Sequence, residues 1–261
     1  MIPNRKPQRL KVKPATSNRS RIQRNETIIR RKPSTQNKHI PVLPPQGAVS
    51  YPKRSKDILT VSISPIWAGE TVFVIGGGPS LKDVNWNILA GKKTIAINKS
   101  FLNYPNADVL YWTDSRFYSW YNQQIDEFNG IKYTIRYSVN YTGNINLLKK
   151  GRRYGLESRT DTLAHGNNSG YAAINLAYHL GAKKIVLLGY DMGNVNGESH
   201  FHGGYPIKAT GDDVYEKQFI PGFNQLAEDL KKKNVEVWNA CKTSKLLAFP
   251  KISLERGLRF T

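Results

Sequence analysis

One cysteine, Cys241, and two methionines are the only sulfur in this 261-residue chain. A single thiol excludes any intramolecular disulfide and fits a reducing compartment. Long apolar runs are missing too. No stretch approaches the ~20 residues that a bilayer crossing needs, and no continuous apolar segment follows the N-terminal charges, so neither a membrane span nor a secretory signal is expected. No internal repeat is present. Acidic residues are scarce, with 19 Asp and Glu against 39 Lys and Arg, a net charge of +20.

That imbalance is concentrated at one end. Residues 1–58 carry 15 Lys and Arg against Glu26 and Asp57, a net 15 − 2 = +13, which leaves 20 − 13 = +7 for the rest. Eight of the 14 prolines lie there as well, and they argue against the amphipathic helix of a transit peptide. High charge and few apolar residues cannot offset the entropy of ordering, so residues 1–58 read as a disordered basic arm. A solubilising tail is the plainer reading. The stronger one is an arm that binds nucleic acid or an acidic protein surface, because each phosphate neutralised by Lys or Arg releases counterions. Tyr51 is the arm's only aromatic, so base stacking is not indicated and binding is expected to be non-specific and salt-sensitive.

From residue 59 onward short apolar runs alternate with amphipathic stretches. Strands are expected at 71–75, 94–97, 107–112, 131–136, 184–188 and 235–238, with helices at 81–90, 115–128, 169–180, 213–232 and 243–248. Strand alternating with helix predicts an α/β domain over 59–261, a Rossmann-like, doubly wound and mainly parallel sheet. Ligands bind such sheets beyond the carboxyl ends of the strands. The polar clusters fall at those ends: Gly76-Gly77-Gly78-Pro79-Ser80, Asn98-Lys99-Ser100, Thr113-Asp114-Ser115-Arg116, Asn167-Asn168-Ser169-Gly170 and Gly189-Tyr190-Asp191.

The glycine turn after the first strand suggests positive-φ backbone and amides gathered, with a helix N-terminus, into an anion site. It is neither a Walker loop nor the dinucleotide fingerprint, whose third glycine position holds Leu81. A plain strand-to-helix turn would read the same way. Trp112, Tyr118, Trp120 and Tyr121 offer an aromatic wall, or else core at helical spacing. No Asp-x-Asp motif occurs, so a divalent metal on a diphosphate is not signalled.

The glycine turn, Asn98, Asn168-Ser169-Gly170 and "AINLAYHLGAKKIVLLGYD" at 173–191 together make residues 71–249 resemble bacterial lipooligosaccharide sialyltransferases. They also resemble a wider phage and bacterial Rossmann-like group, to which archaeal-type pterin pyrophosphokinases look related. The resemblance implies a nucleotide-sugar donor of CMP or UDP type as substrate and no tightly bound cofactor. Gly76, Gly77, Gly78, Pro79 and Ser80 would line the donor nucleotide, Asn98 would bond to it, and Asn168, Ser169 and Gly170 would take its phosphate. Asn239 and Ser244 would help hold base or ribose. A histidine after the Gly-x-Asp strand would be the general base, a role His200 matches best, with His202 and Asp114 as further catalytic candidates.

An imidazole with pKa near ~6.5 can accept a hydroxyl proton at neutral pH. The histidine pair read without the resemblance is also consistent with solvent exposure, or with a metal site completed by Asp191. Asp191 could equally anchor its own loop. Two positions depart from the family: Gly166 stands where an arginine is expected and Gly193 where a tyrosine is. His165, Arg152, Arg153 or Arg159 could restore the charge from 138–166, which reads as a lid-type loop.

The implied function is an inverting glycosyltransferase acting on a hydroxyl acceptor, with DNA carrying hydroxymethylated bases in a phage-infected cell as a coherent acceptor and a cytoplasmic or virion location. The alternatives are a non-catalytic nucleic-acid-binding or virion-associated protein, and an Mg²⁺-dependent diphosphotransferase with Asp114 and Asp191 as ligands.

Overall fold

The computed structural model describes residues 59–135, 141–207 and 211–260, which lie in one unit of the chain. The basic arm, with the expectations attached to it, lies outside the described residues. The elements run β1 (Thr71–Ile75), β2 (Lys93–Ile97), α1 (Ser100–Asn103), β3 (Val109–Trp112), α2 (Ser115–Glu127), β4 (Ile131–Thr134), β5 (Asn146–Leu147), β6 (Lys149–Lys150) and β7 (Thr162–Leu163). They continue through α3 (Ser169–His179), β8 (Lys184–Leu188), α4 (Asp212–Val214), α5 (Phe223–Lys232), β9 (Glu236–Asn239) and α6 (Leu254–Leu258).

Alternate residues of the central strands enter different cores, and this is why they read as unbroken apolar runs. Val72, Val74, Ile95, Val109, Ile185 and Leu187 pack under α3 and α5. Phe73, Ile75, Ala96, Leu110, Trp112, Val186 and Leu188 pack on the other face, against side chains of α1, α2 and α6. The sheet order is β5-β4-β3-β2-β1-β8-β9 with every neighbouring pair parallel. The chain moves outward from β1 to β5, then returns to the far side of β1 as β8 and β9. That reversal makes the fold Rossmann-like and puts the topological switch point between β1 and β8.

Helices agree with expectation where caps support them. Asp114 caps α2 by accepting from the Arg116 amide, and Asn168 caps α3 by accepting from the Tyr171 amide. Over 81–90 the structure holds two short 3-10 turns, Pro79–Leu81 and Trp86–Leu89, in place of a helix. The Asn85 side chain there accepts from the Asn87 amide, a local bond that competes with helix. The expected helix 213–232 is broken by Pro221, which forms part of a 3-10 turn (Ile220–Gly222) preceded by a π turn (Tyr215–Phe219), leaving the short α4 before the break and α5 after it. No helix forms over 243–248. The Ser244 hydroxyl accepts from the Leu246 amide and donates to the Tyr190 carbonyl, which fixes a turn.

The stretch expected to be a lid is built into the fold over its described part, 141–166. β5 extends the sheet edge, β6 pairs with β7, and Leu148, Leu163 and Ala164 are fully buried. Among the described residues no helix is long and apolar enough to cross a membrane.

Candidate functional site

A cavity of about 400 Å³ opens at the carboxyl ends of β1, β2, β3 and β8. Gly76, Gly77, Gly78, Asn98, Asp114, Asn168, Ser169, Gly170, Asp191 and His200 all line it. Five loops spread along the sequence from Gly76 to His200 therefore meet at the switch point. Asn98 is held in the left-handed region (φ 50°) at the end of β2, a conformation asparagine tolerates better than most residues. The Ser169 hydroxyl, in the first turn of α3, lies 2.7 Å from the Thr113 hydroxyl and 3.2 Å from the Asn98 amide oxygen. The positive end of the α3 dipole thus faces the cavity behind a net of small polar groups.

The glycine turn has a different purpose from the one its sequence suggests. None of Gly76, Gly77 and Gly78 has positive φ; the left-handed glycine is Gly189, after β8. The Gly76 and Gly78 amides donate to the Leu188 and Gly189 carbonyls and prolong the β1–β8 ladder, so they are not gathered around a ligand. The missing side chains make room for neighbours. A Cβ at Gly78 would lie 1.9 Å from the Asp191 carboxylate, and one at Gly77 would lie 3.1 Å from His202 and 3.4 Å from His200.

Ser80 and Pro79 turn away from the cavity. Ser80 is tied to Asp191, which accepts from its amide at 3.1 Å and its hydroxyl at 2.7 Å. Asn239 and Ser244 are buried below the rim and do not line the cavity: Asn239 accepts from the Cys241 amide, and Ser244 holds the Tyr190 carbonyl. Cys241 is itself buried, and burial pushes its thiol pKa up.

His200 stands on the rim with its ring stacked on His202, 4.9 Å between centroids at 17°. Burial lowers its pKa below the ordinary imidazole value, and the nearby Lys99 cation lowers it further, while a backbone contact with Gly77 acts the other way. His202 lies deeper, and neither ring nitrogen has a hydrogen-bond partner among the described residues. The His202 and Gly204 carbonyls come near without bonding geometry. Burial, then the charges of His200 and Lys99, lower its pKa to about 3. Its ring is neutral at physiological pH and supports His200 from behind. The Asp114 carboxylate pairs with Arg116 at 2.6 Å while capping α2.

The cations expected to replace the family's arginine are engaged elsewhere. Arg152 pairs with Glu157 and Arg159 with Asp161, Arg153 lies over the Tyr154 ring, and none of the three lines the cavity. Among the described residues the basic side chain that lines it is Arg116, stacked 5.4 Å from the Trp120 ring. Tyr205, Ile207, Tyr215 and Phe219 complete an apolar wall whose members were not singled out as site residues from sequence. Pro221 was the one signal for the last two, since it forces the irregular turn that aims them inward. Among the described residues no group of three or more His, Cys, Asp or Glu side chains comes together around a metal position.

No family model matches the sequence, and no curated protein matches it. Among solved structures the chain is similar to the sialyltransferase CstII from Campylobacter jejuni, solved in complex with a substrate analogue, cytidine-5'-monophosphate. The identity is 16%, the match covers 74% of this chain and 89% of that one, and the TM-score is 0.46.

Proposed function

We propose that the protein is a nucleotide-sugar-dependent glycosyltransferase that transfers to a hydroxyl acceptor. The observation that carries the reading is the meeting, in one cavity at the β1/β8 switch point, of the α3 N-terminus, Asn98, Ser169 and a neutral His200. The donor phosphate sits at the α3 N-terminus, where the Gly170 and Tyr171 turn and the helix dipole favour negative charge. Ser169, at the head of α3, joins in holding that phosphate, and Asn98 holds the nucleoside. The acceptor hydroxyl oxygen attacks the anomeric carbon, its proton passes to His200, and the bond to the donor phosphate breaks with its electron pair leaving on the phosphate oxygen. Attack opposite the leaving group inverts the anomeric carbon. A depressed pKa makes His200 a weaker base but keeps it unprotonated at neutral pH, where it has to act.

The acceptor approaches along the wall that adjoins His200. Tyr205 lies 5.2 Å from His200, and Trp120 lies 6.2 Å from Tyr205. Planar rings beside Arg116 suit a nucleobase with its phosphate, so a hydroxymethylated base in DNA is the proposed acceptor. The test is transfer of label from a panel of CMP- and UDP-sugars to hydroxymethylated DNA by the full chain and its His200→Ala variant. Transfer that falls at least a hundredfold in the variant supports the reading. No transfer by the full chain, with the variant indistinguishable from it, would defeat it.

A non-catalytic role has one observation in its favour: Gly166 sits at positive φ against the Tyr171 ring, so the arginine the family resemblance leads one to expect there has no room. A Cβ at Gly166 would lie 2.2 Å from the Tyr171 ring.

A further inference from the structure

We propose that Lys99 is a positioning residue, whose ammonium group, clamped between two carbonyls of the histidine loop, holds His200 at the cavity rim. The inference rests on the reading of His200 as the base.

The loop from Glu198 to Ile207 has almost no regular structure of its own; a single bridge, Val195 to Glu198, closes its start, and Gly203 and Gly204 both sit at positive φ. Outside bonds therefore have to fix it. The Phe201 amide donates to the Gly77 carbonyl at 3.1 Å. Lys99, just past β2, supplies three more: its Nζ donates to the His202 carbonyl at 2.9 Å and the Gly204 carbonyl at 3.1 Å, and its amide meets the Tyr205 hydroxyl at 3.5 Å. Two of those residues, His202 and Tyr205, touch His200. His202 is stacked flat against its ring, and Tyr205 presents its ring at 81° to His200 and 74° to His202.

A lysine that is half-buried normally needs a counter-ion. Among the described residues no carboxylate pairs with Lys99, and it does not line the cavity. Its charge is satisfied by loop carbonyls, so its role is toward the loop and not toward the ligand. The groups facing His200 are the Gly77 backbone from the turn after β1, Lys99 from the turn after β2, and His202 and Tyr205 from its own loop. Lys99 is the one fixed cation among them, and it disfavours a proton on His200.

The experiment is an NMR titration of the imidazoles in the full chain, with His200 assigned by the His200→Asn variant, for the wild type, Lys99→Met and Lys99→Arg. The wild-type midpoint should lie below the ordinary ~6.5. In Lys99→Met it should move up toward that value, because the cation is lost and the freed loop admits water. In Lys99→Arg it should stay low. Where transfer is measurable, Lys99→Met should lower kcat at least tenfold and shift the acid limb of its pH profile upward, with KM for the donor unchanged. A folded Lys99→Met with the wild-type midpoint overturns the proposal. If that variant does not fold, Lys99→Ala, which likewise removes both the charge and the donors, replaces it under the same criterion. Failure of the wild type to bind any nucleotide would defeat the glycosyltransferase reading, while the titration would still decide the role of Lys99.

Discussion

Ser80 donates both its amide and its hydroxyl to the buried carboxylate of Asp191, which ties the turn after β1 to the loop after β8 across the switch point. The tie explains Gly78, whose missing Cβ is the space the carboxylate occupies. Asp191→Ala removes two hydrogen bonds to a charged acceptor and should cost about 2–3 kcal/mol, or a fall in Tm of roughly 5–10 °C. Asp191→Asn should cost less. Thermal denaturation of the three proteins checks this, and an unchanged Tm in Asp191→Ala would contradict it.

Restoring arginine at position 166 should destabilise the protein and not repair a donor site. The backbone there is left-handed (φ 51°), and the Tyr171 ring in the way is fixed by its hydroxyl, which accepts from the Gly155 amide at 2.6 Å. Strain and overpacking together predict a loss of about 3 kcal/mol or more for Gly166→Arg, measured by denaturant unfolding.

Acid should unfold the domain through His202. Its folded pKa is about 3, well below the ~6.5 of an unfolded histidine, so below pH ~6.5 the unfolded state binds the extra proton. Stability from this group is full above pH ~6.5 and is lost as pH falls, at about 1.4 kcal/mol per unit. His179 and His200, also depressed by burial, act in the same direction. The Tm should drop between pH 7 and 5, and His202→Phe should flatten that dependence.

The acceptor wall predicts a separation of effects. Trp120→Ala should weaken oligonucleotide binding or transfer about tenfold, since base stacking contributes ~1–3 kcal/mol, and should leave the nucleotide thermal shift unchanged. A loss of nucleotide binding instead would place the donor on that wall.

Sheet and site rim were legible because both follow from local pattern. Runs such as 72–75 and 185–188 are apolar throughout, and polar residues crowd their carboxyl ends. Asn98 and Ser169 could thus be placed on one rim from strand order, and the family resemblance adds His200 to it. The errors came from non-local contacts. No pattern around Gly76-Gly77-Gly78 shows that Asp191, Gly189 and the histidine pair fill the space above them. Nor does any local signal show that Asn239 and Ser244 face inward, or that Lys99 reaches the His202 and Gly204 carbonyls more than a hundred residues away. The irregular turn at Tyr215–Phe219 depends on Pro221 breaking a segment whose periodicity is otherwise helical.

The central claim is that the switch-point cavity holds a nucleotide through Asn98, Ser169 and the start of α3. Calorimetric titration of CMP, UDP, GDP and ATP into the wild type and into an Asn98→Ala, Ser169→Ala double variant tests it most directly. Saturable binding of at least one nucleotide, weakened tenfold or more in the variant, is the predicted result. Binding of none, or equal binding by both proteins, would contradict it.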